Sequence, residues 1–300
     1  VKKKRVLVLV KRTSYRTLVE EQHDEQVTRL LAKGDPSVKR MRRTHEDHEE
    51  TVREVRDALE KLGADFEVFV GPRTLVEGPH DLVVTVGGDG TLLAASHNLG
   101  AESQLLGVNS APETSVGFFC AAKKGSVEGT LASALDGRLK RALLSRMRVD
   151  LNDQCLHRRV LNEALYCHES PAATSRYILR VVQPGGAAVE EDQRSSGLWI
   201  GPAAGSTAAQ RSAGGKVLPL TSPKIQVVVR EPYIRFGATF KLATALVDEG
   251  GTVVLHSKMR NAKLFLDGHH IMHDVTLGDV VTMRRSEETL TVLGLARRAG

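Results

Sequence analysis

Apolar residues in this chain follow two regimes. Up to about residue 142, short continuous apolar runs alternate with polar stretches of helical period; beyond it, short apolar-rich segments follow one another closely. "RVLVLV" at 5–10 has the length and β-branching of a buried strand. Residues 16–63 are largely polar and are broken at Gly34–Pro36. Within "HEETVREVRDALEKLG", Val52, Val55, Leu59 and Leu62 recur at helical spacing, which predicts an amphipathic helix stopped by Gly63. Phe66–Val70 and Leu82–Val86 are predicted strands, the second continuously apolar as in a parallel strand covered on both faces. Thr91–Leu99 follows as a helix and "QLLGVN" as a further strand. This alternation predicts an α/β layer with a parallel, Rossmann-like sheet over residues 1–142.

From about residue 143 the segments "MRVDLN", "HRRVLNEALYCHE", "RYILRVVQ", "GLWIG", "KIQVVVRE", "TVVLHS", "AKLFLDG", "VVTMRR" and "TLTVLGL" are divided by Gly, Pro, Asp and Asn. They predict an all-β second domain over residues 143–300. No internal repeat is visible.

Composition narrows the partners only a little. The chain has 300 residues, 41% hydrophobic and 26% charged, as one large or two medium globular domains would have. A net charge of +6 suits polyphosphate or nucleic acid, but Lys+Arg 42 nearly balances Asp+Glu 36. The excess sits in Lys2–Arg5, Lys39–Arg43 and Arg297–Arg298, where a solubilising surface is the plainer role. No nucleic-acid-binding module is recognisable, so no nucleic-acid partner is expected. Cys120, Cys155 and Cys167 are far apart and read as reduced thiols of an intracellular protein. No apolar run approaches the ~20 residues of a membrane span. The basic start resembles a signal peptide only until Lys11 and Arg12 interrupt it. A cytoplasmic protein without membrane contact is expected.

The chemistry concentrates in "VGGDGT" at 86–91. Gly87, Gly88 and Gly90 let backbone N–H groups approach an anion, and the helix opening at Thr91 adds free donors and the positive end of its dipole. Strand carboxyl ends are where α/β sheets place ligands. No Gly-Lys-Ser/Thr follows and the glycine spacing is not that of the dinucleotide fingerprint. Asp89 is the anomaly, because a carboxylate should repel phosphates. It is a turn residue, a metal partner or a catalytic group.

Two other stretches stand out. "LNEAL" sets Asn162-Glu163 in an apolar context, and "SSGLWIGPAAGSTAAQRSAGG" is a small-residue loop bearing hydroxyls at Ser206, Thr207 and Ser212. Taken singly, the first reads as a surface hairpin pair and the second as a helix N-cap. His45 and His48 in "THEDHEE" read as a solvated helix face, since nothing nearby completes a metal shell. His269, His270 and His273 surround a turn and are not expected to hold metal either. Trp199 is expected in the second domain's core.

Together, GGDGT, NE and GSTA…SAGG in this order resemble the NAD kinase family, with "GVN" (107–109) and "LDG" (266–268) as further matches. The resemblance runs from Leu82 to Val280, and its wording is similar to the plant-type NADH kinase branch. It implies transfer of a phosphoryl group from ATP to the adenosine-ribose 2′-hydroxyl of NAD⁺ or NADH, giving NADP(H). It also implies an α/β N-terminal and an all-β C-terminal domain, and a homodimer or homotetramer. Lipid kinases share GGDGT and are the alternative enzyme; a nucleotide sensor without turnover is the alternative outside catalysis. GSTA…SAGG favours NAD kinase over the lipid kinases.

The resemblance places donor phosphates over Gly87, Gly88, Gly90 and Thr91, with Mg²⁺ arriving on the phosphates near Asp89 and no directly ligated metal. Phosphoryl transfer depends mostly on positioning and charge neutralisation. Asp89 then accepts a hydrogen bond from the acceptor hydroxyl and takes its proton late. Asn162 and Glu163 hold the adenosine half, and an ionised Glu163 suits ribose hydroxyl donors. Thr207, Ala208 and Ser212 line the adenine pocket, Asn109 shapes a neighbouring loop, and Asp267 and His269 occupy the family's Asp-Gly-Gln/His turn. A plain hairpin turn serves equally for the last two.

Three departures concern the dinucleotide. Ser196 stands where the pattern has an aspartate, Ala209 where it has a tyrosine, and Lys216 where proline is usual. With no charge at Ser196 to favour the cationic oxidised ring, NADH is expected to be accepted at least as well as NAD⁺.

Overall fold

The computed structural model describes residues 3–71, 80–234 and 240–295. The basic residues Lys2, Arg297 and Arg298 lie outside the described residues. The chain forms two compact units, one comprising residues 1–142 with the strand from Thr291, the other residues 143–290.

The first unit is the α/β layer that the alternation predicts. Its strands are β1 (Arg5–Val10), β2 (Asp65–Val70), β3 (Leu82–Gly87), β4 (Gln104–Asn109), β5 (Cys120–Lys123) and β6 (Arg141–Leu144). The sheet runs β2-β1-β3-β4, continues through the chain's final strand, Leu290–Leu293, and ends at β6. The pairs β1–β2, β1–β3 and β3–β4 are parallel. The segment "TLTVLGL", grouped by its pattern with the β-rich region, thus supplies a strand parallel to the start of β4. Isolated from its neighbours, such a run carries no signal of which sheet it joins.

Four helices accompany this sheet: α1 (Glu25–Lys33), α2 (Met41–Lys61), α3 (Asp89–Ser96) and α4 (Val127–Leu135). The polar stretch hides α1, which is held by caps. Asp24 accepts the Val27 N–H at 2.9 Å, and Gly34 closes the helix at φ +66°. A single π-helical turn, Arg16–Glu21, precedes it. Helix α2 buries Val52, Val55, Ala58 and Leu59.

The solvated-face expectation for His45 and His48 is overturned. Positions 48, 52, 55 and 59 share one helical face, so His48 continues the apolar stripe and is only 1% exposed. Its Nδ1 lies 2.8 Å from Ser110 Oγ, and burial followed by the nearby Lys11 charge pushes its pKa down to about 4. His45 Nδ1 meets Thr13 Oγ1 at 2.8 Å, and its ring stacks on Tyr15.

The second unit is all-β. Its strands are β7 (Met147–Leu151), β8 (Gln154–Val160), β9 (Ala164–His168), β10 (Ser175–Val182), β11 (Ala188–Ser195), β12 (Leu198–Pro202), β13 (Ile225–Val229), β14 (Thr244–Val247), β15 (Thr252–Ser257), β16 (Ala262–Leu266), β17 (Ile271–Val275) and β18 (Val280–Arg285). They form two six-stranded sheets, ordered β11-β10-β15-β18-β7-β8 and β14-β13-β12-β9-β16-β17. One core fills both, with Tyr166 and Tyr177 edge to face at 5.7 Å and each hydroxyl bonded to a serine. Trp199 does not join it. Leu198 and Ile200 take the inward positions of β12, so alternation turns Trp199 outward, where it is half-buried beneath the Arg230 guanidinium, 5.7 Å from its ring.

Candidate functional site

The first cluster lies at the carboxyl end of β3, whose six residues are all buried. Gly88 is the extended N-cap of α3, so the helix opens at Asp89, two residues before the sequence pattern suggests. The Thr91 and Leu92 N–H groups both donate to the Gly88 carbonyl, at 3.0 and 3.3 Å, so the N–H groups of Asp89 and Gly90 are the ones that precede the helical ladder. Asp89 does not hang free. Its Oδ2 accepts the Phe118 N–H at 2.9 Å and its Oδ1 the Phe119 N–H at 2.8 Å. The carboxylate ties the 110–119 loop to the start of α3 and keeps lone pairs for other donors.

The glycines have packing reasons of their own. A Cβ at Gly87 would come within 2.2 Å of Thr91 Oγ1, and one at Gly88 within 2.5 Å of Ser115 Oγ. Thr91 is therefore buried against Gly87, whereas Gly90 is exposed with open space around it. Asn109 closes the same loop from β4: its Nδ2 donates to Ser115 O at 2.9 Å and its Oδ1 accepts the Ala111 N–H at 3.2 Å. The sequence does not single out the 110–119 loop, because its role is carried by backbone atoms.

The second cluster is a turn between β8 and β9. Asp267, in the β16–β17 hairpin, accepts three backbone N–H groups: Leu161 at 2.7 Å, Asn162 at 2.7 Å and Glu163 at 3.0 Å. Its own N–H donates to the Glu163 carbonyl at 2.9 Å. Asp267 is thus more than a hairpin residue; it clamps the Asn162-Glu163 turn. His269 stands at the exposed tip with its ring against His270 at 3.8 Å.

Gly201 and Gly205 bring the other motif against this turn. A Cβ would lie 2.1 Å from Asn162 O at the first and 1.8 Å at the second. The short 3₁₀ segment Ala203–Thr207 and helix α5 (Ala209–Ser212) follow. Ser206 is consumed internally, donating to Ala203 O and accepting the Leu218 N–H. Thr207 and Ala208 are half-buried, and Ser212 is exposed. Two buried amides that the sequence reading passes over, Gln210 and Gln226, join the cluster: Gln210 Nε2 donates to Asn162 O at 3.2 Å and its Oε1 accepts from Gln226 Nε2 at 3.0 Å. The signal was available, since Gln226 interrupts the apolar run "KIQVVV".

Two side-chain oxygens in this turn, Asn162 Oδ1 and Glu163 Oε2, are buried without a hydrogen-bond partner among the described residues. Natural proteins rarely leave such atoms unsatisfied except at functional sites. Burial, and then the Asp267 carboxylate, push the Glu163 pKa up to about 8. Asp267 is pushed up to about 6 by burial, against the lowering effect of its three N–H donors. Glu163 therefore holds a proton at neutral pH, contrary to the ionised acceptor that its residue type suggests.

Ser196 sits at the far end of β12 from these contacts. Its N–H donates to Arg230 O at 3.0 Å, and Arg230 N–H donates to Gly197 O at 2.8 Å. Gly197 is required there: its φ is +108°, and a Cβ would meet Tyr166 O at 2.5 Å. Ser196 and Gly197 precede the strand, whose rise separates Leu198 from Gly201 by about 10 Å.

Residues 1–139 match the family model described as the ATP-NAD kinase N-terminal domain. That match takes in residues 11–65, where the sequence reading finds no resemblance. A probable NADH kinase of Oryza sativa subsp. japonica is 34% identical over 264 residues, covering 82% of this chain and 81% of its own length. An NADH kinase of Arabidopsis thaliana is 37% identical over 229 residues, covering 71% and 72%. Among solved structures, yeast NADH kinase complexed with NADH superposes with a TM-score of 0.68 at 18% identity, over 99% of this chain and 85% of that one. An NAD kinase from Archaeoglobus fulgidus in complex with ATP gives a TM-score of 0.65 at 21% identity, over 96% and 92%.

Proposed function

The chain belongs to the NAD kinase family, and from that premise we propose how its two clusters divide the work of phosphorylating NAD(H) with ATP. The donor's phosphates lie over the Gly87–Gly90 loop, where the exposed Gly90 and the leading N–H groups of α3, those of Asp89 and Gly90, receive anionic oxygens. Asp89, held by Phe118 and Phe119, aligns the 2′-hydroxyl of the acceptor through a remaining lone pair and takes its proton late. Magnesium, which binds through one or two carboxylates together with substrate phosphates, fits Asp89 and the donor, and would neutralise charge on the transferring group.

The observation that carries the acceptor side is the pair of buried, unpartnered oxygens on Asn162 and Glu163. Ribose hydroxyls satisfy both. Donors to a carboxylate favour its ionised form, so binding draws the proton off Glu163. Thr207 and Ala208 border the adenine, with Ser212 at its margin. Ser196, just before the other end of β12, falls at the nicotinamide end. It carries no charge, and Arg194 and Arg230 flank it in sequence and by hydrogen bond. NADH is therefore accepted at least as well as NAD⁺.

Among the described residues no helix is long and apolar enough to cross a membrane. Among the described residues no two cysteines are joined by a disulfide, which suits a reducing, cytoplasmic setting. Self-association into a homodimer or homotetramer completes the proposal and is read by light scattering. The direct test is to incubate pure protein with ATP, Mg²⁺ and either NAD⁺ or NADH and assay the phosphorylated product. Both should be converted, with kcat/KM for NADH at least equal to that for NAD⁺; no product from either would sink the proposal.

A further inference from the structure

Glutamine is mostly a surface residue, yet Gln210 is 0% and Gln226 1% exposed. Both amides are engaged end to end. Gln226 Oε1 accepts the Lys216 N–H at 2.7 Å, and Gln226 Nε2 donates both to Lys216 O at 3.1 Å and to Gln210 Oε1 at 3.0 Å. Gln210 Nε2 then donates to Asn162 O at 3.2 Å. An unbroken line of buried hydrogen bonds runs from the backbone of Lys216 to the carbonyl of the residue that precedes Glu163.

We infer that the Lys216–Gln226–Gln210 line positions the Asn162-Glu163 turn for the dinucleotide and thereby sets its affinity. Asp267 holds the N–H side of the turn. The carbonyl side faces Gly201 and Gly205, which offer no side chain, and Gln210 supplies the polar side chain that reaches it. The line begins on a backbone N–H, which proline lacks. A proline at 216 could not make this first bond. Buried amide networks of this kind hold one geometry firmly when every member is satisfied. Gln210 and Gln226 are positioning residues and touch no reacting atom.

This inference rests on the placement of the dinucleotide at Glu163, so the test carries Glu163→Gln in parallel. Lys216→Pro removes one N–H and Gln226→Leu removes the central amide. Each should raise KM for NADH about five- to tenfold, the worth of one or two neutral hydrogen bonds. Changes in kcat and in KM for ATP should stay within about twofold. Lys216→Pro made in the Gln226→Leu background should add nothing further, because its partner is already gone. A general packing defect would instead move both Michaelis constants and kcat together. Should a variant fail to fold, hydrogen exchange on the wild-type protein decides: NADH should slow exchange of the Lys216 amide. Unchanged KM for NADH in folded variants, or no added protection at Lys216, overturns the inference. If Glu163→Gln also leaves NADH affinity unchanged, the placement of the dinucleotide has failed; if only the line variants are silent, the positioning role alone has failed.

Discussion

Replacing Glu163 by glutamine should stabilise the protein without dinucleotide at alkaline pH and weaken its hold on NADH. Glu163 is 8% exposed, its Oε2 has no partner among the described residues, and its pKa is pushed from 4.5 up to about 8. A raised folded-state pKa means that the stabilising contribution is complete below about pH 4.5. It is lost as the pH climbs through about 8, because the unfolded chain releases its proton first. Each pH unit in that window is worth about 1.4 kcal/mol, so the full shift corresponds to about 4–5 kcal/mol. Part of the shift comes from the Asp267 carboxylate in the same turn, so an effect of about 2–4 kcal/mol is expected. Glutamine cannot ionise and escapes the loss. Urea unfolding followed by the fluorescence of Trp199, the sole tryptophan and part of the same unit, reads the difference. The variant should match the wild type near pH 5 and exceed it by about 2 kcal/mol or more at pH 9. The other arm has the opposite sign. Losing a charge-assisted bond to a ribose hydroxyl costs about 1.5–3 kcal/mol, so NADH affinity should fall at least tenfold while ATP affinity holds. Parallel stability curves for the two proteins from pH 5 to 9 would refute the buried-acid argument. Equal losses for ATP and NADH would place Glu163 away from the acceptor.

Asp89→Asn should lower kcat by about 10² or more. The amide must also turn an NH₂ towards a backbone N–H of Phe118 or Phe119, so the melting temperature should fall as well, by the equivalent of about 1–3 kcal/mol. Retention of more than about a third of wild-type kcat would leave Asp89 only its loop-tying role. Ser196→Asp should shift the kcat/KM ratio about tenfold towards NAD⁺, half of the roughly 3 kcal/mol expected between unit charges at 5–6 Å and an effective dielectric of about 20. A wild type that prefers NAD⁺ more than tenfold, with no further shift in the variant, contradicts the charge argument. Gly205→Ala places a methyl 1.8 Å from Asn162 O and must push the turn aside. NADH affinity should collapse with ATP affinity retained, and unaltered NADH binding by calorimetry would disprove the close approach.

The hydrophobic pattern alone determined the order of layers. Continuous β-branched runs such as Leu82–Val86 can be satisfied only between covered faces, and the 52-55-59-62 spacing can bury only one side of a helix, so both declare their state locally. GGDGT, NE and GSTA…SAGG were likewise visible as motifs, because a glycine or a polar residue in an apolar context is conspicuous without coordinates. What the sequence could not express is which distant residues complete each motif. His48 looks solvated until Ser110 is brought beside it, and "TLTVLGL" looks like any other strand until β4 pairs with it. Asp267 reads as a turn residue until its carboxylate meets three N–H groups more than a hundred residues away. The proton on Glu163 is the clearest case. Its residue type says ionised, and only burial beside Asp267, a property of the assembled turn, makes the neutral acid the stable form.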